Sequence, residues 1–221
     1  MNPLTQIQME IAKMYKAFSW IKSKTYGSKS KFGCVKDRSD KRDYMLGAFL
    51  RSGIPIPEEV SYQQFTHEPG DQGSLSSCVG WGCARGVKEV VDSSNNEWTK
   101  LSPLWLYDQC KRYDGDPYMD GTFIRTGMKI MAKIGVAPES YLPYDPSYRI
   151  GKYDDIVNNI PNEEISPYRI KTYARLRTVD EMRRCLDQNG PFAIGIEVTE
   201  DFENVDSSGV IKVNQTNNTN G

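Results

Sequence analysis

The stretch Asp71-Gln72-Gly73-Ser74-Leu75-Ser76-Ser77-Cys78-Val79-Gly80-Trp81 decides the reading of this chain. A glycine-containing turn delivers Cys78 to the start of an amphipathic helix, whose apolar positions Val79, Cys83, Val87, Val90 and Val91 fall on one face. At a helix start the first backbone N–H groups lack partners, and the positive end of the helix dipole favours a thiolate. The same N–H groups can donate to an oxyanion, and the side-chain amide of Gln72 can supply a second donor. Thiol, fixed dipole and amide donor are the parts that acyl transfer needs. A lone cysteine at a helix start is more often a buried structural thiol; here its surroundings favour chemistry.

Outward from this segment the pattern remains readable. Ser102-Pro103 opens a helix containing Leu104, Leu106 and Tyr107, with proline tolerated in the first turn. Another helix is predicted from Ile124 to Ile134, closed by Gly135. Thr178-Val179-Asp180-Glu181 matches a capping box, with Val179, Met182, Cys185 and Leu186 as the buried side of a short helix. Tyr168 to Leu176, Phe192 to Val198 and Gly209 to Val213 read as strands. Trp81 and Trp105 read as core, Trp98 as either core or stacking residue, and the tyrosines between 141 and 173 as cleft lining or strand surface. Upstream, Leu4, Ile7, Ile11, Met14, Phe18 and Ile21 are spaced as a heptad seam, so residues 1–24 form an amphipathic helix or arm, able to pack on its own domain, self-associate or dock a partner. Residues 25–60 form an extended connection, dense in charge from Lys36 to Asp43, that suits a surface, and residues 61–221 form the main domain.

Charge is balanced, 28 basic against 29 acidic residues, which argues against nucleic acid as a partner. No apolar run approaches the ~20 residues needed to cross a bilayer, and the first residues lack the core of a secretory signal. The five cysteines, at 34, 78, 83, 110 and 185, show no metal-ligand spacing. No metal and no cofactor are therefore expected, and reduced thiols in the cytoplasm are the default.

These residues, taken in order, resemble the papain-like cysteine peptidases, in their bacterial and viral branch. Gln72-Gly73 followed by Ser77-Cys78 is similar to the family's nucleophile segment. Asp40-Lys41-Arg42-Asp43-Tyr44 resembles an element ahead of the domain, and Leu101-Ser102-Pro103 the family's helix start. Gly135-Val136-Ala137-Pro138-Glu139 with Leu142-Pro143-Tyr144-Asp145-Pro146 is similar to a stretch typical of the branch, and Gly190-Pro191 to the lead into the histidine strand. The resemblance implies an α+β, two-lobed fold: a helical N-terminal lobe with Cys78 at a helix N-terminus, and a partial antiparallel β C-terminal lobe. It implies peptide-bond hydrolysis with Cys78 as nucleophile and Gln72 as oxyanion donor. Asp120, Gly121 and Thr122 would form the glycine-rich wall that binds substrate. Association with a virus particle is a further expectation of this branch.

Two departures qualify the resemblance. Leu75 stands where secreted members carry a disulfide cysteine, in keeping with a reducing setting. The sequence also reaches Gly221 before the family's catalytic histidine and asparagine, so the chain by itself is expected to be inactive, with a separate C-terminal fragment as one source of the missing pair. His67 is a poor substitute: a base must come within about 3 Å of the sulfur, and His67 lies on the approach to the oxyanion loop. The alternatives are a binding or structural protein on a peptidase scaffold and another thiol acyl-transfer enzyme.

Overall fold

The computed structural model describes residues 32–198, apart from residues 52 and 117, together with residue 202. The predicted arm at 1–24 and the strand at 209–213 lie outside the described residues. Three helices form the centre. The first, α1, is continuous through an α-helical turn Cys78–Gly80, a π-helical stretch Trp81–Glu89 and an α-helical end Val90–Ser94. Helix α2 spans Pro103–Asp114 and α3 spans Ile124–Lys133. α2 packs against both others, burying Val79, Cys83, Leu104, Trp105, Leu106, Cys110, Ile130 and Met131 in one core. Shorter helices α4 (Asp154–Val157) and α5 (Asn162–Ile165) close one side through Val157 and Ile165.

Local signals hold where capping chemistry fixes them. The Ser102 hydroxyl accepts from the Trp105 amide at 3.0 Å, with Pro103 in the first turn of α2. α3 ends before Gly135, whose φ of 111° is the left-handed conformation that stops a helix. Helix α6 (Val179–Gln188) is capped by Thr178 Oγ1, which accepts from the Glu181 amide at 3.1 Å, while the Glu181 carboxylate takes the Arg177 amide at 2.6 Å. Of its predicted apolar side only Cys185 is fully buried.

The sequence elements of the resemblance are tied to one another. Leu101 bridges Pro138 in antiparallel fashion, and the Ser102 amide donates to the Ala137 carbonyl at 2.9 Å. The buried Glu89 of α1 accepts the Leu101 amide at 2.6 Å, joining α1 to the entry of α2. Asp43 pairs with Arg125 of α3 at 2.6 Å and with Arg175 at 3.2 Å. The charged stretch 36–43 is thereby fastened to the domain at both of its neighbours.

The β-structure differs from expectation. Among the described residues the sheet is β1 (Cys34–Val35) paired with β2 (Thr122–Phe123), and it is parallel, with Cys34 opposite Thr122. Residues 168–176 contribute only a bridge from Arg175 to Met45. Phe192 to Val198 runs without a backbone ladder, Ala193 packing on the core and Gly195 passing beside the Cys34 thiol. Strand propensity needs a neighbouring strand to be realised, and the described residues offer these segments none. The expected antiparallel lobe is therefore not formed within the described residues; the fold remains α+β, its sheet built by the N-terminal connection.

Candidate active site

Cys78 sits half-buried at the first residue of α1. The residue before it, Ser77, has non-helical backbone angles but does not cap the helix with its side chain. The first-turn amides are thereby left to the sulfur. Burial pushes the Cys78 thiol above its ordinary pKa; amide donors from Gly33, Val79 and Cys78 itself pull the other way without cancelling it.

The Gly33 donor is the unexpected part of the site. Its N–H points at Cys78 Sγ over 3.3 Å, and its carbonyl accepts from the Thr122 amide at 2.9 Å. The connection expected at the surface thus threads between Cys78 and the glycine-bearing segment 120–122, with Gly33 buried. Only glycine fits there: a Cβ on Gly33 would lie 2.0 Å from the Ser76 carbonyl oxygen. The facing residue is equally constrained, since Gly121 has φ of 79° and a Cβ on it would lie 2.1 Å from the Gly33 oxygen.

The wall is held from behind. Thr122 is fully buried and its hydroxyl donates to Asp114 at 2.6 Å, while Thr126 donates to the other carboxylate oxygen at 2.9 Å. Lys111, also buried, gives its ammonium to the Met119 carbonyl at 2.5 Å and to that of Gly121 at 3.2 Å. Thr122 therefore meets Gly33 through its backbone, its side chain being turned inward. Asp120 is exposed at the edge of this wall.

Gln72 begins the turn that ends at Cys78. Asp71 accepts the Gly73 amide at 2.7 Å, the Ser77 amide reaches the Leu75 carbonyl at 2.7 Å, and the Gln72 carbonyl accepts from the Tyr144 hydroxyl at 2.8 Å. The sequence groups Tyr144 with the other tyrosines between 141 and 173 as cleft lining or strand surface, and does not tell it apart from them. His67 is elsewhere: it is exposed, and its ring packs on Trp98 with centroids 4.1 Å apart. Trp98 is thus half-exposed against a tilted ring, Trp105 is core, and Trp81 lies edge-on to Tyr144 rather than within the core. Among the described residues no cluster of His, Cys, Asp and Glu has the arrangement of a metal site.

The family model for the papain family cysteine proteases matches residues 56–221. The chain belongs to the papain family of cysteine proteases. A peptidase C1-like protein of Acanthamoeba polyphaga mimivirus is 24% identical over 214 residues, covering 82% of this chain and 67% of that protein. Two solved structures share the fold. Xylellain, a cysteine protease from Xylella fastidiosa, superposes with a TM-score of 0.57 at 22% identity, covering 75% of this chain and 66% of its own. Digestive procathepsin L 3 of Tenebrio molitor larval midgut gives 0.61 at 17% identity, covering 87% of this chain and 55% of its own. The chain thus spans about two thirds or less of the structures it resembles.

Proposed function

We propose that this chain carries the nucleophile side of a cysteine peptidase acting on peptide or protein substrates, in a state where its own N-terminal connection fills the cleft. The observation that carries this is Gly33: its amide meets the Cys78 sulfur while its carbonyl takes the Thr122 amide. A cleft that binds its own extended backbone beside a helix-start thiol is built to receive a peptide. In the reaction, Cys78 loses its proton to a histidine base and attacks the peptide carbonyl. The oxyanion is held by the Cys78 N–H and the Gln72 amide, the amine leaves with the proton, and water then hydrolyses the thioester. Asp120, Gly121 and Thr122 present the backbone wall that aligns the substrate, once residues 33–35 have left it.

The base has to come from outside this sequence, which contains one histidine. A C-terminal segment or a separate chain would supply it, with the orienting asparagine. Five free cysteines and Leu75 in place of a disulfide partner favour a reducing compartment such as the cytoplasm. Residues 25–60 act as the occluding connection and 61–221 as the peptidase domain, the arm at 1–24 being a docking or self-association element.

The test is hydrolysis of peptidyl-coumarin amides by protein from the whole reading frame, if that continues past Gly221, against its Cys78→Ala variant. Turnover lost in the variant supports the peptidase; a frame that ends at Gly221 with no activity favours the second reading, a binding protein on this scaffold. The covered thiol, its pKa pushed up by burial, is the observation in favour of that second reading.

A further inference from the structure

The two ends of the turn from Gln72 to Cys78 converge on one hydroxyl. Tyr144 Oη donates to the Gln72 carbonyl at 2.8 Å and lies 2.6 Å from Ser77 Oγ. A phenol has one proton, and a carbonyl can only accept, so the Tyr144 proton belongs to Gln72 and Ser77 must donate to Tyr144. The other acceptor near the Ser77 hydroxyl, the Leu75 carbonyl, is at 3.5 Å. The serine hydroxyl is thereby oriented toward Tyr144.

That orientation bears on Cys78. A serine preceding a helix ordinarily turns its oxygen onto the amides of the first turn. Here Ser77 makes no such cap. The Gly33 amide meets the sulfur at 3.3 Å, and the uncapped amides of Val79 and Cys78 also favour its thiolate. Tyr144 can hold this arrangement because it is itself held. Its ring meets Trp81 edge-on at 4.8 Å, the neighbouring Leu142 is buried with its carbonyl taken by Ser102 at 2.7 Å, and Asp145 closes the next turn onto Ser147 at 2.8 Å.

We propose that Tyr144 is a positioning residue for the nucleophile: it ties the oxyanion-donor residue to the turn before Cys78 and draws the Ser77 hydroxyl away from the first-turn amides, leaving them to the sulfur. This rests on Cys78 being the nucleophile. Tyr144→Phe keeps the ring and removes the bond, freeing Ser77 to cap the helix in competition with the sulfur.

The measurement is the pH titration of the Cys78 ¹³Cβ resonance in the full chain, assigned with Cys78→Ser, the fold of each variant being checked by its amide spectrum. The ionisable groups beside Cys78 are Cys34 of the N-terminal connection, Cys83 one turn along α1 and Tyr107 of α2, and none is altered in the variants. Tyr144→Phe is expected to raise the midpoint by about 0.7 pH unit, the size of one lost hydrogen bond. Tyr144→Phe/Ser77→Ala is expected to return it to within about 0.2 unit of the parent, because no hydroxyl remains to compete. A turn merely loosened by the loss of Tyr144 would leave the double variant shifted at least as far as the single one. An unmoved Tyr144→Phe midpoint, or a double variant that does not recover, overturns the proposal. Should Tyr144→Phe fail to fold, Ser77→Ala alone decides: the midpoint stays where it was if Ser77 is not capping, and a fall, which amides released from a Ser77 cap would produce, overturns the role. Failure here leaves the peptidase reading standing, since that is judged by hydrolysis.

Discussion

The Gly33 amide donates to the Cys78 sulfur at 3.3 Å, so the segment that reaches this thiol is the chain's own. Its backbone runs parallel to β2, with Cys34 opposite Thr122 and Val35 opposite Phe123. The buried Gly33, with its amide on the sulfur and its carbonyl on the Thr122 amide, covers this side of the thiol. Access to the thiol is therefore coupled to how firmly residues 33–35 stay seated.

Replacing Gly33 tests that coupling directly. In Gly33→Ala the new methyl would stand 2.0 Å from the Ser76 carbonyl oxygen, and backbone cannot yield as a flexible side chain can. The segment is expected to leave the wall, and iodoacetamide labelling of the Cys78 peptide, read by mass spectrometry at fixed pH, should accelerate about tenfold or more, one hydrogen bond and its packing being worth roughly that factor. Labelling no faster than in the parent would mean that Gly33 does not guard the sulfur.

Asp43 is the fastening behind this segment. It pairs with Arg125 at 2.6 Å and Arg175 at 3.2 Å, its side chain 10% exposed. Asp43→Asn should cost about 1–3 kcal/mol, because two guanidinium groups lose their charged acceptor. Limited proteolysis is expected to cut between residues 36 and 45 earlier than in the parent. Equal cleavage rates would show that the anchor lies elsewhere.

The same carboxylate sets a pH limit. Burial alone would raise its pKa, but the hydrogen bonds and charges of Arg125 and Arg175 outweigh burial and hold it below the usual range. A depressed carboxylate stabilises the fold above its unfolded pKa of about 3.9 and loses that contribution as pH falls through the folded value. The segment should thus remain fastened at pH 5 and lose the Asp43 contribution only below about pH 4. Cys78 labelling rates corrected for thiolate fraction should be flat between pH 5 and 7; a rise across that range would assign release to another group.

Behind the wall, Asp114 accepts from Thr122 and Thr126 at 2.6 and 2.9 Å. Asp114→Ala leaves both hydroxyls without this acceptor, next to a fully buried Thr122. Urea denaturation should show a loss of about 2–3 kcal/mol, with Cys78 labelling faster because the wall no longer holds Gly33. A loss below about 0.5 kcal/mol would mean that the wall is supported mainly by Lys111.

Local rules made much of this legible in sequence, and long-range pairing did not. Ser102-Pro103, Thr178 with Glu181, and Gly135 act within one helical turn, so their helices start and stop where capping chemistry puts them. The place of Cys78 at a helix start was legible because the turn from Gln72 and the helix lie within one short stretch. The pairing of Cys34 with Thr122 joins two-residue strands 88 positions apart, too short for any periodicity to signal. Tyr144 is one of 13 tyrosines, and nothing in its type tells that its hydroxyl spans Gln72 and Ser77. Phe192 to Val198 has strand composition yet runs without a ladder, because composition cannot name the partner that a strand needs.

His67 offers the last test, since it is the single histidine of the sequence. Its ring packs against Trp98 with centroids 4.1 Å apart and is otherwise exposed, and its partial desolvation, followed by the charge of Arg85, holds its pKa below the usual value. A base for Cys78 has to approach within about 3 Å of the sulfur, yet the contact made to that sulfur comes from Gly33. The chain ending at Gly221 is therefore expected to hydrolyse peptidyl-coumarin amides no faster than its Cys78→Ala variant. His67→Ala should leave the pH dependence of Cys78 labelling unchanged and lower stability by less than about 1 kcal/mol, the loss of one exposed ring contact. Hydrolysis that disappears in both Cys78→Ala and His67→Ala would make His67 the base and require the turn from His67 to Gln72 to fold over the sulfur during turnover.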